Sequence, residues 1–185
     1  MTVFTSVNDP RVVAMLNSGA IGIIRTDTLY GVLARANDEA AVNKVYDLKS
    51  RDEKKSPIVL INDIASLFDT VNDAPILDVL KSVWPGAVSV ILPSTQAPIW
   101  IRRDNDSVAY RIPANDSLRT VLKQTGPLIA PSANPEGQPP AMNLSEAQVY
   151  FGDRVDFYVD GGQVISTAPS QLLQVHANGE VTRLR

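Results

Sequence analysis

An α/β fold, one twisted and partly parallel sheet flanked by helices, is what this sequence predicts, and three observations carry the prediction. Short apolar runs rich in branched residues, such as 20–24 and 57–61, alternate with longer stretches whose apolar residues recur at helical spacing. Asp, Asn, Gly and Pro stand at the joints, where caps and turns need them. The 185 residues, 44% hydrophobic and 20% charged, suffice for one domain with a proper core. No repeat, low-complexity tract or linker interrupts the alternation, so residues 1–185 are expected to form a single domain.

Taken in order, Asp9-Pro10 reads as a cap and a first-turn proline, and Val12, Val13 and Leu16 form a helical stripe stopped by Gly19. Residues 20–24 are a buried strand and 31–36 a second extended piece. Asn37 or Asp38 caps a helix through Ala41, Val42, Val45, Tyr46 and Leu48. A strand at 57–61 follows, then a short helix after Asp63 and a longer one begun by Asp73-Ala74-Pro75. Trp84-Pro85-Gly86 stops that helix before a strand at 87–92. Residues 93–106 are polar and read as an irregular surface excursion. A strand at 108–113 contains Arg111, and Asn115 or Asp116 caps a helix over 117–124. The short strand 127–130 runs into Pro131-Ser132-Ala133-Asn134-Pro135-Glu136-Gly137. A helix near 144–150, an extended run at 155–159, a turn at Asp160-Gly161-Gly162 and strand-like pieces near 171–175 and 180–184 complete the chain.

Composition removes several chemistries. Without cysteine there is neither a disulfide framework nor a thiolate metal site, and the presence of His176 alone argues against a histidine zinc site or a serine–histidine relay. The start of the chain lacks the features of a signal peptide, and no apolar run reaches the ~20 residues of a membrane span, so a cytoplasmic protein is expected. A net charge of -3 argues mildly against a protein gripping nucleic acid through its phosphates, although Lys49, Arg51, Lys54, Lys55 and Arg111 could still build a basic cleft. No Walker-type glycine loop or dinucleotide fingerprint is present.

What remains are polar loops that follow apolar strands. Thr26-Asp27-Thr28-Leu29-Tyr30-Gly31 supplies hydroxyls and a carboxylate, and Lys49-Ser50-Arg51 ends a helix on two cations. Together they suit an anion with several oxygens, a nucleotide triphosphate above all, although a plain turn and a solvated helix end would read the same. Ser132-Ala133-Asn134 offers a hydroxyl and a carboxamide, or simply a proline-bounded turn. Arg111, set among apolar residues, must either meet an internal acid or point into a ligand cleft.

These segments, with Trp84-Pro85-Gly86-Ala87-Val88-Ser89, 108–113, Asp160-Gly161-Gly162 and Pro169-Ser170, resemble in their order the motifs of the YrdC/Sua5 family in its short, TsaC-type form. The resemblance spans nearly the whole chain. It implies a YrdC-like domain with an open substrate cleft, and an activity: L-threonine, bicarbonate or CO2 and ATP giving threonylcarbamoyl-AMP and pyrophosphate. That product feeds the t6A modification at position 37 of tRNA. By the same resemblance, Lys49 and Arg51 are the catalytic cations and bind ATP with Lys55, Ser56, Ser107, Asn134 and Arg183. Thr28, Arg111, Ser132 and Ser170 hold threonine or its carbamate. Mg2+ would come with the ATP phosphates, and no protein metal site is expected. Partners would be these substrates, and beyond them tRNA or the downstream t6A proteins of TsaD, TsaB and TsaE type. Arg25, Glu136 and Gln171 depart from the family's usual residues, proline, a small residue and threonine respectively. A divergent paralogue, or an RNA-binding module using the same surface, are the alternatives.

Overall fold

The computed structural model describes residues 2–165, 168–176 and 179–185. Its ten strands are β1 (Thr2–Phe4), β2 (Gly22–Arg25), β3 (Tyr30–Arg35), β4 (Ile58–Leu60), β5 (Val88–Pro93), β6 (Ser107–Arg111), β7 (Leu128–Ile129), β8 (Phe157–Val159), β9 (Gln171–Val175) and β10 (Val181–Arg183). They join in one sheet of order β1-β8-β2-β3-β7-β4-β6-β5-β9-β10. The pairs β1/β8, β8/β2, β4/β6 and β5/β9 are parallel and the others antiparallel, so the sheet is mixed.

Among the described residues there are six α-helices, α1 (Pro10–Asn17), α2 (Glu39–Lys49), α3 (Ala74–Val83), α4 (Ile99–Arg102), α5 (Asp116–Thr125) and α6 (Leu144–Phe151), and two 3-10 turns, Ile64–Ser66, where the sequence predicts a short helix after Asp63, and Gly152–Arg154. Caps explain where most begin. Asp9, Asp38, Asp73, Asn115 and Asn143 each accept a hydrogen bond from a backbone N–H in the first turn. At α6 the arrangement is reciprocal: Glu146 N–H donates to Asn143 Oδ1 at 2.9 Å, and the Glu146 carboxylate accepts from Asn143 Nδ2 and from Met142 N–H, each at 2.8 Å.

Alternation along the strands sorts residues between two faces. Val59, Val90, Tyr110 and Ile129 pack with Val42 and Val45 of α2, Leu80 of α3, Ile101 of α4 and Ala147 of α6. Leu33, Leu60 and Leu128 face the other way and pack with Val12 and Leu16 of α1 and Leu118, Val121 and Leu122 of α5. On this second face the helices cover only part of the sheet. Ile58, Ala109, Ile91 and Leu172, on β4, β6, β5 and β9, are only partly buried. Register puts them side by side: Ile58 pairs with Ala109, Ala109 with Ile91, and Leu172 with Ser89 two residues before Ile91.

Two elements differ from the sequence expectation. Residues 93–106 are not wholly irregular: Pro98 precedes the single turn of α4, whose Ile101 is fully buried. One turn is too short for helical periodicity to declare itself. The start of the chain forms an edge strand, β1, because β8 offers it a parallel partner some 155 residues away in sequence. Among the described residues, no helix is long and apolar enough to cross a membrane.

Candidate functional site

The uncovered part of the sheet adjoins two hollows that share Arg51, Ile58 and Arg185. The first, of about 440 Å³, is walled by Thr26, Thr28, Tyr30 and Gly31 before and within β3, by Arg111 ending β6, by Pro131 and Ser132 after β7, and by Ser170 before β9. The second, of about 430 Å³, has Ile58, Ile91, Ala109 and Leu172 as its floor and Arg51, Lys54, Lys55, Ser56 and Ser107 at its sides.

Arg111 is the buried cation in the wall of the first hollow. It is 4% exposed, and its Nη2 lies 3.2 Å from the Asp27 carboxylate. Its guanidinium donates to Thr28 Oγ1 at 3.2 Å and to Thr26 Oγ1 at 3.4 Å. Thr26 Oγ1 in turn donates to the Leu29 carbonyl at 2.8 Å, and Asp27 accepts from Ala114 N–H at 3.0 Å. The arginine therefore meets an internal acid and faces a hollow at once. Burial pushes its pKa down, Asp27 opposes that, and Arg185 adds to it.

Gly31 sits where the 26–31 and 131–134 loops touch. Val32 N–H donates to Pro131 O at 2.9 Å and Ala133 N–H to Tyr30 O at 2.8 Å. A Cβ on Gly31 would lie 3.0 Å from Leu33 Cδ1 and 3.3 Å from Pro131 O, so a side chain would push the loops apart. The Tyr30 hydroxyl donates to Gly162 O at 2.8 Å and accepts from Gly161 N–H at 2.9 Å, tying the Asp160-Gly161-Gly162 turn to the same point.

The end of α2 separates its two cations. Ser50 takes a left-handed conformation with φ 51°, Arg51 N–H donates back to Tyr46 O at 3.0 Å, and the chain reverses. Lys49, 2% exposed, points inward and donates from Nζ to the carbonyls of Ser132 and Asn134. Burial pushes the Lys49 ammonium down to about 8, Arg51 adding to the shift and Glu136 opposing it. Arg51 turns to both hollows, its guanidinium 5.6 Å from the centre of the Tyr46 ring and donating to Ser56 O at 3.2 Å. The buried Nε atoms of Arg51 and Arg111 find no acceptor among the described residues, and neither do those of Arg35 and Arg103 outside the two hollows.

Of the residues singled out from sequence, Thr28, Arg51, Arg111, Ser132 and Ser170 line the first hollow and Arg51, Lys55, Ser56 and Ser107 the second. Lys49 and Asn134 line neither but are joined to the walls. Asn134 accepts from Ser132 Oγ at 2.6 Å and donates to Gln138 O at 2.7 Å. Arg183 lies on β10, exposed, and lines neither hollow. Arg185 lines both and donates to Ser170 O at 3.1 Å. Sequence reading missed Arg185 because a cation after an edge strand carries no pattern. Ser89, which ends the 84–89 motif, lines neither hollow; it is fully buried, with its hydroxyl 2.9 Å from that of Ser170. Of the three unusual residues, Arg25 donates to Gly161 O at 2.5 Å away from the first hollow, Glu136 pairs with Lys55, and Gln171 begins β9, exposed.

A larger hollow of about 900 Å³ lies between α2 and α4, where Glu39, Asp47, Asp52, Glu53 and Asp104 outnumber the cations Lys54 and Arg103 in its walls. Its carboxylates would repel a polyphosphate, whereas the paired hollows present cations and an apolar floor. Fold and site thus define a class: a mixed α/β protein with a small polar chamber beside a flat, cation-rimmed one, suited to a small polar molecule next to a phosphorylated ligand. The chain belongs to the Sua5/YciO/YrdC family, whose model, described as "Telomere recombination", matches residues 14–185. It is 30% identical over 166 residues to a threonylcarbamoyl-AMP synthase of Pseudoalteromonas atlantica, covering 86% of this chain and 88% of that one. With the enzyme of the same name from Bacillus subtilis, the identity is 33% over 85% of this chain and 48% of the longer relative. The solved structure of P. abyssi Sua5 complexed with L-threonine superposes with a TM-score of 0.88, at 23% identity over 100% of this chain and 56% of that one, a likeness of fold.

Proposed function

We propose that this protein is a threonylcarbamoyl-AMP synthase, a nucleotidyltransferase that converts L-threonine, bicarbonate or CO2 and ATP to threonylcarbamoyl-AMP and pyrophosphate. The observation that carries the reading is the pair of joined hollows, one walled by Thr26, Thr28 and Arg111, the other floored by Ile58, Ala109 and Leu172 and rimmed by cations. Relatives named for this reaction, at 30% identity over most of their length, support it.

In this reading the threonine carboxylate pairs with Arg111, and Thr28, Ser132 and Ser170 surround the rest of the amino acid. The adenine and ribose lie on the apolar strand floor beside Ser107. Arg51, Lys55 and Ser56 face the phosphates, and we give the contact expected of Arg183 to Arg185. The threonine carbamate attacks the α-phosphorus, and charge grows on the departing pyrophosphate, where Arg51 and Lys55 stabilise it. Lys49 adds its field and holds the 132–134 loop, with Asn134, at the junction of the hollows. No side-chain nucleophile is needed, because alignment of bound reactants supplies the rate enhancement. Mg2+ would come with the ATP: the rim offers cations and hydroxyls, so the ion would be held by phosphate oxygens and water and would add charge stabilisation there. The product is an activated acyl-adenylate for the t6A modification of tRNA, passed to tRNA-modifying partners. No step requires a membrane, and a cytoplasmic location fits.

The test is pyrophosphate release by the purified protein, with recovery of threonylcarbamoyl-AMP. We expect release to need ATP, threonine and bicarbonate together. Release without threonine, or with another amine preferred, would refute the assignment in favour of a divergent paralogue. Tight RNA binding that survives loss of nucleotide binding would favour a binding module.

A further inference from the structure

Lys55 and Glu136 come from separate loops, and only Lys55 lines the second hollow. Lys55 lies in the loop after α2, while Glu136 lies in the loop after β7. Their side chains meet: Lys55 Nζ donates to Glu136 Oε1 at 2.5 Å. The backbone fixes this meeting place, because Glu136 N–H donates to Lys49 O at 2.8 Å. Both side chains are substantially exposed, 53% for Lys55 and 40% for Glu136, so the pair can open without unfolding anything. Lys55, with Arg51 and Lys49 behind it, holds the Glu136 carboxyl below the usual carboxylate range. A carboxylate just outside the second hollow thus holds one of the cations of its rim.

We propose that Glu136 is an internal competitor of an anion bound there: it occupies Lys55 until a polyphosphate takes its place, and so sets the affinity of the hollow for nucleotide. The proposal rests on reading the second hollow as the nucleotide site. A phosphate oxygen and the Glu136 carboxylate need the same ammonium, and the arriving triphosphate leaves Glu136 beside like charges. Both effects oppose binding. After turnover they favour departure, because Glu136 can recapture Lys55 as pyrophosphate leaves. A pair this exposed is weak, which makes it a tuning contact and not a lock.

The test is calorimetric titration of the whole protein with ATP and, separately, with inorganic pyrophosphate. The proteins are wild type, E136Q, K55A and the double variant. We expect E136Q to tighten both ligands by about two- to fivefold. We expect K55A to weaken both, and E136Q to bring no gain once Lys55 is gone. The gain should shrink as ionic strength rises. Unchanged or weaker binding by E136Q overturns the proposal, since Glu136 would then steer Lys55 toward the ligand. A gain that persists in the K55A background overturns it too, by showing only a diffuse field effect. A raised Mg2+ requirement in E136Q would make Glu136 a metal ligand instead. Failure of wild type to bind either ligand would remove the nucleotide reading itself, and this proposal with it.

Discussion

The two hollows are neighbours built on opposite plans. Around Arg111 the polar groups are buried and already joined to one another: guanidinium, carboxylate, two hydroxyls and a backbone N–H form one network. Around Arg51 and Lys55 the groups are partly exposed and hold one another at loop carbonyls or through a single exposed ion pair. A buried network is rigid and fixes one small ligand in one pose, at the risk of collapse if a member is lost. An exposed rim tolerates loss and adapts to a larger, floppier ligand. The contrast predicts that mutations on the two sides fail in different ways.

The largest effect is expected from Arg111→Ala, which strands the Asp27 carboxylate, 7% exposed, without its cation. Loss of about 3–5 kcal/mol of stability should accompany loss of threonine-dependent turnover, read by urea unfolding and by pyrophosphate release. Arg111→Lys would sharpen the point by recovering part of the stability while the KM for threonine stays high. If Arg111→Ala unfolds at the wild-type midpoint, the first hollow is no more integrated than the second.

Arg51→Ala should do the reverse. We expect kcat/KM for ATP to fall by about a hundredfold, with the unfolding midpoint little changed because Arg51 is only partly buried. Equal damage to folding would erase the distinction between the two sides.

Lys49 sits between the two plans, buried like the first and cationic like the second. Its pKa falls from 10.5 to about 8 in the folded chain, so between those values the unfolded chain holds a proton that the folded chain has released. Stability contributed by this group therefore rises with pH through that window, and the cost of its burial is fully present below about pH 8. Nucleotide binding should follow the opposite sign. The charge that attracts phosphate is lost above about pH 8, so kcat/KM for ATP should decline there, and Lys49→Met should remove that inflection. A profile flat to pH 10 in wild type would place the lysine outside the nucleotide's field.

The smallest effect is at Ser50, which holds a left-handed conformation at the end of α2. Ser50→Gly should stabilise the chain by up to about 1 kcal/mol in thermal unfolding, with the KM for ATP unchanged. A changed KM would mean that the serine side chain contributes to the rim.

How legible all this is from sequence depends on the range of the interactions. The helix starts could be read because Asp9, Asp38, Asp73 and Asn115 cap with their own side chains, within three residues. The nearness of Lys49 to Ser132 and Asn134 is long-range and carries no local signal; the resemblance to a family supplied it. The Asp27–Arg111 pair was half legible: Arg111 amid apolar neighbours demanded a partner, but only the fold chooses Asp27 among the chain's acids. Arg185 and β1 were invisible: a cation after an edge strand carries no pattern until its bond to Ser170 O is seen, and β1 takes its place from β8, far along the chain.

Leaving one stretch of the second sheet face without a helix has a thermodynamic sequel. Over Ile58, Ala109, Ile91 and Leu172 a flat ring would serve as the missing layer, shielding apolar atoms that water now touches. A saturating purine nucleotide should then raise the melting temperature well beyond what pyrophosphate alone achieves, as a roof strengthens walls that bare beams cannot.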